Sequence, residues 1–171
     1  MTPLNKRIAI LVEQQYQELE LWYPYYRLKE AGAKVSLVGP KLQSYPSKLG
    51  YPAKAEKAID DVSADDFDAI VIPGGFCPDY LRRSPKVIAL VAAIAGAGKP
   101  TAAICHGPWV LCSTTVLKGK RATSFGSIKD DLTNAGAIWE DAETVVDGNI
   151  LTSRTPDDLP AFMAAFLKML G

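Results

Sequence analysis

The chain has 171 residues, 48% of them hydrophobic and 22% charged, with 19 Lys plus Arg against 19 Asp plus Glu. That length suits one domain with a substantial core, and the zero net charge gives no electrostatic case for nucleic acid or an anionic membrane as main partner. Three cysteines and one histidine make the usual zinc and His-cluster sites improbable, so no metal is expected.

The first apolar run, 8–12, is too short for a signal peptide and is followed by Glu13. The longest apolar stretch, "VIALVAAIAGAG", falls far short of the roughly 20 residues a membrane helix needs. A cytoplasmic protein with free thiols is the expectation.

In chain order, "RIAILV" (7–12) is short, apolar and β-branched, as a buried strand is. A helix is predicted over 18–31, ending at Gly32, with Pro24 kinking it or splitting off its first turn. "KVSLVG" (34–39) is the next strand, and 40–65 are irregular, with short strands around 51–55. "DAIVIPGG" (68–75) is a buried strand running into a glycine turn. Ser84 as N-cap and Pro85 as first helical residue open a helix to about Gly96.

"TAAIC" reads as a strand and 107–116 as a helix. "RATS" begins a further strand, and 127–130 looks like a capping box opening a helix that ends near Gly136. "AIWE" and "TVVDGNILTS" read as strands, the second folded at Asp147, Gly148 and Asn149. The 155–158 segment caps a last helix reaching Leu170. This alternation predicts an α/β fold, a mostly parallel sheet with helices on both faces. Chemistry in such sheets gathers at the carboxyl ends of strands.

Two strand ends stand out. In "AAICHGPW" Cys105 sits between Ala103 and Gly107, the small residues that a sharp nucleophile elbow needs on either side. The N-terminus of the following helix should depress the Cys105 pKa. A buried, inert thiol is the alternative, and adjacent His106 serves as acid/base only if its ring folds back. In "IPGGFCPDYLRR", Gly74 and Gly75 offer backbone N–H groups to a developing negative charge, as an oxyanion hole does. Asp79 either works at the site or compensates a helix dipole. Cys112 reads as a core residue. Cys77 reads as a spectator, or as the partner that resolves an oxidised Cys105.

These motifs, with "ELELWYPYYRLKEAG", "SIKDDLTNAGA" and "VVDGNILTSRTPDDLPAF", resemble the ThiJ/PfpI superfamily over nearly the whole chain, specifically the PfpI-like branch of intracellular proteases and general stress proteins. The resemblance implies a flavodoxin-like three-layer sandwich, a homodimer or larger assembly, and a cofactor-free enzyme acting on peptides or on small carbonyl and glycated compounds. It implies Cys105 as nucleophile, His106 as its partner, and Asp79 orienting that histidine from the neighbouring subunit. It maps the Gly-Gly backbone to Gly74 and Gly75, and places part of the aromatic group Trp22, Tyr23, Tyr25 and Tyr26 near a dimer contact.

The resemblance also calls for a glutamate after the first strand, hydrogen-bonded to the cysteine sulfur. Matching "YQELELWYP" puts Gln17 at that position, with Glu18 as a neighbour that would swing in. A glutamine amide donates to a thiolate but shuttles no proton. The expectation therefore favours peptidase-type hydrolysis over glyoxalase or deglycase chemistry. A non-catalytic redox sensor, a chaperone-like stress protein or a regulatory domain of a longer chain are the alternatives.

Overall fold

The computed structural model describes residues 4–171. In chain order its elements are β1 (Arg7–Leu11), α1 (Glu18–Glu30), β2 (Lys34–Gly39), β3 (Ser44–Pro46), β4 (Pro52–Lys54), β5 (Lys57–Ala58), β6 (Ala69–Ile72), α2 (Cys77–Arg82), α3 (Pro85–Gly96), β7 (Thr101–Ile104), α4 (Pro108–Cys112), β8 (Arg121–Ala122), α5 (Lys129–Asn134), β9 (Ile138–Trp139), β10 (Thr144–Asp147), β11 (Ile150–Ser153) and α6 (Leu159–Leu170).

The main sheet runs β10-β11-β7-β6-β1-β2-β5, parallel except for the β10–β11 pair. Every residue of β6, β7 and β11 is buried. That is the pattern of strands covered on both faces, and it explains the unbroken apolar run of β6 and the small or apolar residues of β7 and β11. Helices α1 and α6 pack together, while α2, α3, α4 and α5 pack among themselves. The result is the flavodoxin-like α/β architecture that the sequence suggested.

Edge strand β10 returns through Asp147, Gly148 and Asn149, with Gly148 at φ 62°. Asn149 anchors the turn, donating to the carbonyls of Ala95 and Lys99 at 2.8 and 3.0 Å. The chain passes from β1 to β2 on one side and returns through β6 on the other. The ends of β1 and β6 thus flank a topological switch point, where such sheets open a crevice.

Several local expectations change. Pro24 sits inside α1 without splitting it. The helix then closes as expected, with the Gly32 N–H on the Lys29 carbonyl and the Ala33 N–H on the Leu28 carbonyl. The helix after the elbow stops at Cys112 instead of running to 116. The Thr114 hydroxyl donates to the Leu111 carbonyl at 2.6 Å and accepts from the Val116 N–H, an alternative that draws the backbone out of the helix.

"RATS" yields only the two residues of β8. It pairs with β9 apart from the main sheet, because the Thr123 N–H turns to the Thr152 hydroxyl at 2.8 Å. No capping box forms at 127–130, since Ser127 is used elsewhere. Among the described residues, no helix is long and apolar enough to cross a membrane.

Candidate active site

Three loops converge at the carboxyl ends of β1, β6 and β7. The first holds Cys105, just past the end of β7, at φ 60°. A side chain in that left-handed region costs on the order of 1–3 kcal/mol and persists only where its surroundings hold it. They do so here. The Cys105 N–H donates to the Ser153 carbonyl at 3.0 Å, and its own carbonyl accepts from the Phe125 N–H at 3.0 Å. The Gly107 N–H closes the turn on the Ile104 carbonyl at 2.7 Å. A Cβ at Gly107 would run into the carbonyls of Ile72 and Ile104. The small residue after the cysteine is therefore a steric requirement of the elbow.

The His106 ring does fold back. Its Nδ1 lies 3.3 Å from the Cys105 sulfur, and its Nε2 lies 3.2 Å from the Ser127 hydroxyl. Phe125 stacks on the imidazole at 5.0 Å, and Trp109 meets it edge-on at 5.3 Å. Burial and the nearby Lys48 charge lower the His106 pKa, so the ring is neutral at neutral pH.

The residue that sequence reasoning missed is Glu20. It lies in the first turn of α1, is completely buried, and accepts the Gly74 N–H on Oε2 at 2.8 Å. Its other oxygen, Oε1, is buried with no regular hydrogen-bond partner, yet Glu20 and the Cys105 thiol are close enough to shift one another's titration. Glu20, not Gln17, is the carboxyl beside the cysteine.

Gln17 has a different task. It is the N-cap of α1, its Oε1 accepting the Glu20 N–H at 3.1 Å, and it lines the cleft over Cys105 without being its carboxyl. Nor does Glu18 swing in: its carboxylate holds the Ser47 hydroxyl and the Leu49 N–H. A signal for Glu20 was present in the sequence. Glu20, Pro24 and Leu28 recur every four residues with Leu21 beside them, and these four are the buried face of α1. A glutamate on that stripe enters the core.

Burial pushes the Glu20 carboxyl up to about 7, partly offset by its hydrogen bond from Gly74. Burial and the charge of Glu20 push the Cys105 thiol up to about 12, against backbone N–H groups of Gly75 and His106 directed at the sulfur. The expected depressed thiol is thus reversed. The helix behind it is only five residues long, while the desolvated carboxylate is close. The two groups titrate as a pair, and the first proton leaves near 7. Carboxylate with thiol, and carboxyl with thiolate, are two forms of that single state.

The glycine turn also differs from expectation. Gly74 has no N–H to spare for a substrate, because Glu20 takes it. A Cβ there would sit 2.6 Å from Glu20 Oε2 and 2.7 Å from the Cys105 Cβ, so only glycine lets the carboxyl and the elbow approach. Gly75, at φ 75°, turns its own N–H toward the sulfur. The N–H groups directed at the sulfur are therefore those of Gly75 and His106, while that of Gly74 goes to Glu20.

Asp79 does not meet His106 within this chain. Its carboxylate is paired with Arg83, one turn along, and Ser127 occupies the outer nitrogen of the imidazole. Cys77 is fully buried and its thiol is pushed up by burial; Cys112, half-buried, is pushed up to about 11. All three cysteines are free.

Above Cys105 opens a cleft of about 340 Å³, reached past Gln17, Lys48, Phe76, Phe125 and Pro156. That volume suits a small molecule.

Comparison with known proteins fits this geometry. The chain is 46% identical over 164 residues to a protein named a deglycase from Pyrococcus abyssi, covering 96% of this chain and 99% of that one. It is 46% identical over 168 residues to YraA of Bacillus subtilis, named a conjectured cysteine protease, covering 98% and 99%. A crystal structure of a two-domain protein from Anabaena variabilis, with DJ-1/ThiJ/PfpI-like and ferritin-like domains, superposes with a TM-score of 0.95 at 43% identity. That match covers 98% of this chain and 48% of the larger protein. Residues 6–169 match the DJ-1/PfpI family, and the chain belongs to it.

Proposed function

We propose that the chain is a cofactor-independent cysteine enzyme acting on small carbonyl compounds and their adducts with thiols and amines. The observation that carries this reading is the buried Glu20 carboxyl, held near neutrality beside Cys105. A carboxyl of that kind takes a proton and returns it at physiological pH. In the addition step the Cys105 thiol gives its proton to Glu20 as the sulfur attacks the carbonyl carbon. The carbonyl π pair moves onto oxygen, which the N–H groups of Gly75 and His106 receive. Glu20 then returns the proton to that oxygen, giving a neutral thiohemiacetal. Neutral His106, fixed by Ser127, keeps the sulfur from drifting out of line.

Relatives named deglycases support the choice of substrate class, and a relative named General stress protein 18 fits a stress-related role. With Glu20 in place, the preference for hydrolysis that rested on Gln17 is reversed. Peptide hydrolysis is the second reading, favoured by the name of the Bacillus relative. It needs an acid for His106, which Asp79 of a second copy would have to bring, so a homodimer belongs to that reading. Free thiols suit a reducing, cytoplasmic setting.

The test is turnover of the methylglyoxal–thiol adduct, followed by loss of its absorbance. Cys105→Ala should abolish it, and Glu20→Gln should lower kcat by roughly 10²- to 10⁴-fold, the range for a positioned acid/base. Full activity in a folded Glu20→Gln variant would refute the reading.

A further inference from the structure

The cleft over Cys105 has two charged residues in its lining, Glu20 at its floor and Lys48 at its mouth. Lys48 lies in the turn between β3 and β4, and that turn is built firmly. The Lys48 N–H donates to the Tyr16 carbonyl at 3.0 Å, and Ser47 and Tyr16 form a bridge. Ser47 Oγ accepts the Tyr51 N–H at 2.8 Å. The backbone beneath the lysine is therefore tied to the loop leading into α1.

The ammonium makes no direct ion pair among the described residues, although its charge also acts on the neighbouring Glu18 carboxylate. Glu18 is the acid best placed to pair with it, but its carboxylate is occupied by the Ser47 hydroxyl and the Leu49 N–H. Among the described residues no acidic side chain forms an ion pair with Lys48. Its charge is nonetheless felt inside the cleft, at Glu20 and at His106. The remaining lining is largely apolar and aromatic, with Phe76, Phe125 and Pro156. A ligand there meets a reactive sulfur at one end and a single unpaired cation at the other.

We propose that Lys48 is a specificity-determining residue, its ammonium selecting small carbonyl substrates that also carry a carboxylate. The inference rests on the carbonyl-compound reading above and names the substrate class within it. An α-oxo acid or a carboxylated adduct would place its carbonyl at Cys105 and its carboxylate at Lys48. A neutral carbonyl compound of the same size would leave the ammonium without a partner.

A matched pair of thiol reagents tests this without requiring turnover. Iodoacetate and iodoacetamide alkylate Cys105 alike, forming a C–S bond and expelling iodide, and differ in charge. Lys48→Met should lower the iodoacetate-to-iodoacetamide rate ratio roughly threefold, the scale of one exposed charge. Lys48→Glu should lower it further, and added salt should shrink the difference. In parallel, the ratio of kcat/KM for glyoxylate over methylglyoxal should fall in Lys48→Met. A reagent ratio unmoved by either variant overturns the proposal, even where Cys105-dependent turnover persists. A ratio that falls while neither carbonyl compound is consumed supports the anion subsite and refutes the enzymatic reading instead.

Discussion

At the scale of single residues, the proposed chemistry turns on Glu20. Its folded-state pKa, about 7, lies above the ordinary 4.5. Below about pH 4.5 both folded and unfolded chains hold this proton, so burial carries no titration cost. As pH rises from 4.5 to 7 the unfolded chain releases the proton while the folded chain retains it, and stability falls. Above 7 the loss amounts to roughly 3 kcal/mol. Urea midpoints should therefore show Glu20→Gln gaining on the parent by roughly 2 kcal/mol between pH 5 and pH 8. A stability difference independent of pH would mean that Glu20 is not held as described. Cys105 was legible in the sequence because its elbow needs small neighbours at fixed offsets, and Ala103 and Gly107 supply them. Glu20 was not, because a glutamate in the first turn of a helix is ordinarily solvated. Its place on the buried stripe with Pro24 and Leu28 is a property of the face, which aligning the loop residue by residue does not show.

Among the elements, most strands of the main sheet were legible, while β3, β5 and several connections were not. The short, mostly apolar runs of β1, β6 and β7 read as strands covered on both faces, as they are. By contrast, Ser127 carried the sequence pattern of a helix cap but spends its hydroxyl on His106, a tertiary contact 21 residues away. The glycine turn after β6 is the element on which the site depends most. Gly74→Ala should cost about 1–3 kcal/mol, the scale of overpacking a tight site, and should remove most activity, because the new Cβ meets Glu20 and Cys105 together. Gly96 serves as the control. It is the last residue of α3, has nothing within 4 Å of where its Cβ would lie, and should gain about 0.5–1 kcal/mol on change to Ala. Thermal melts of the two variants check both signs, and equal effects would show that the turn is not sterically constrained.

For the whole molecule, two chemistries separate by where their residues come from. Glu20, Cys105, His106 and the Gly75 N–H all lie within one chain, so carbonyl-adduct turnover per molecule should not change on dilution. Peptide hydrolysis that borrows Asp79 from a second copy should fall as the copies part. Dilution series on the two substrate types would read this directly, and a parallel loss of both would place the assembly itself in control of the site. On the proposed mechanism, Glu20 and Cys105 share a titrating proton. This is tested most directly by the pH dependence of Cys105 alkylation with iodoacetamide, in the parent and in Glu20→Gln. The rate should rise with a midpoint near pH 7 in the parent, and that rise should vanish in Glu20→Gln. The same inflection in both proteins would contradict the shared proton.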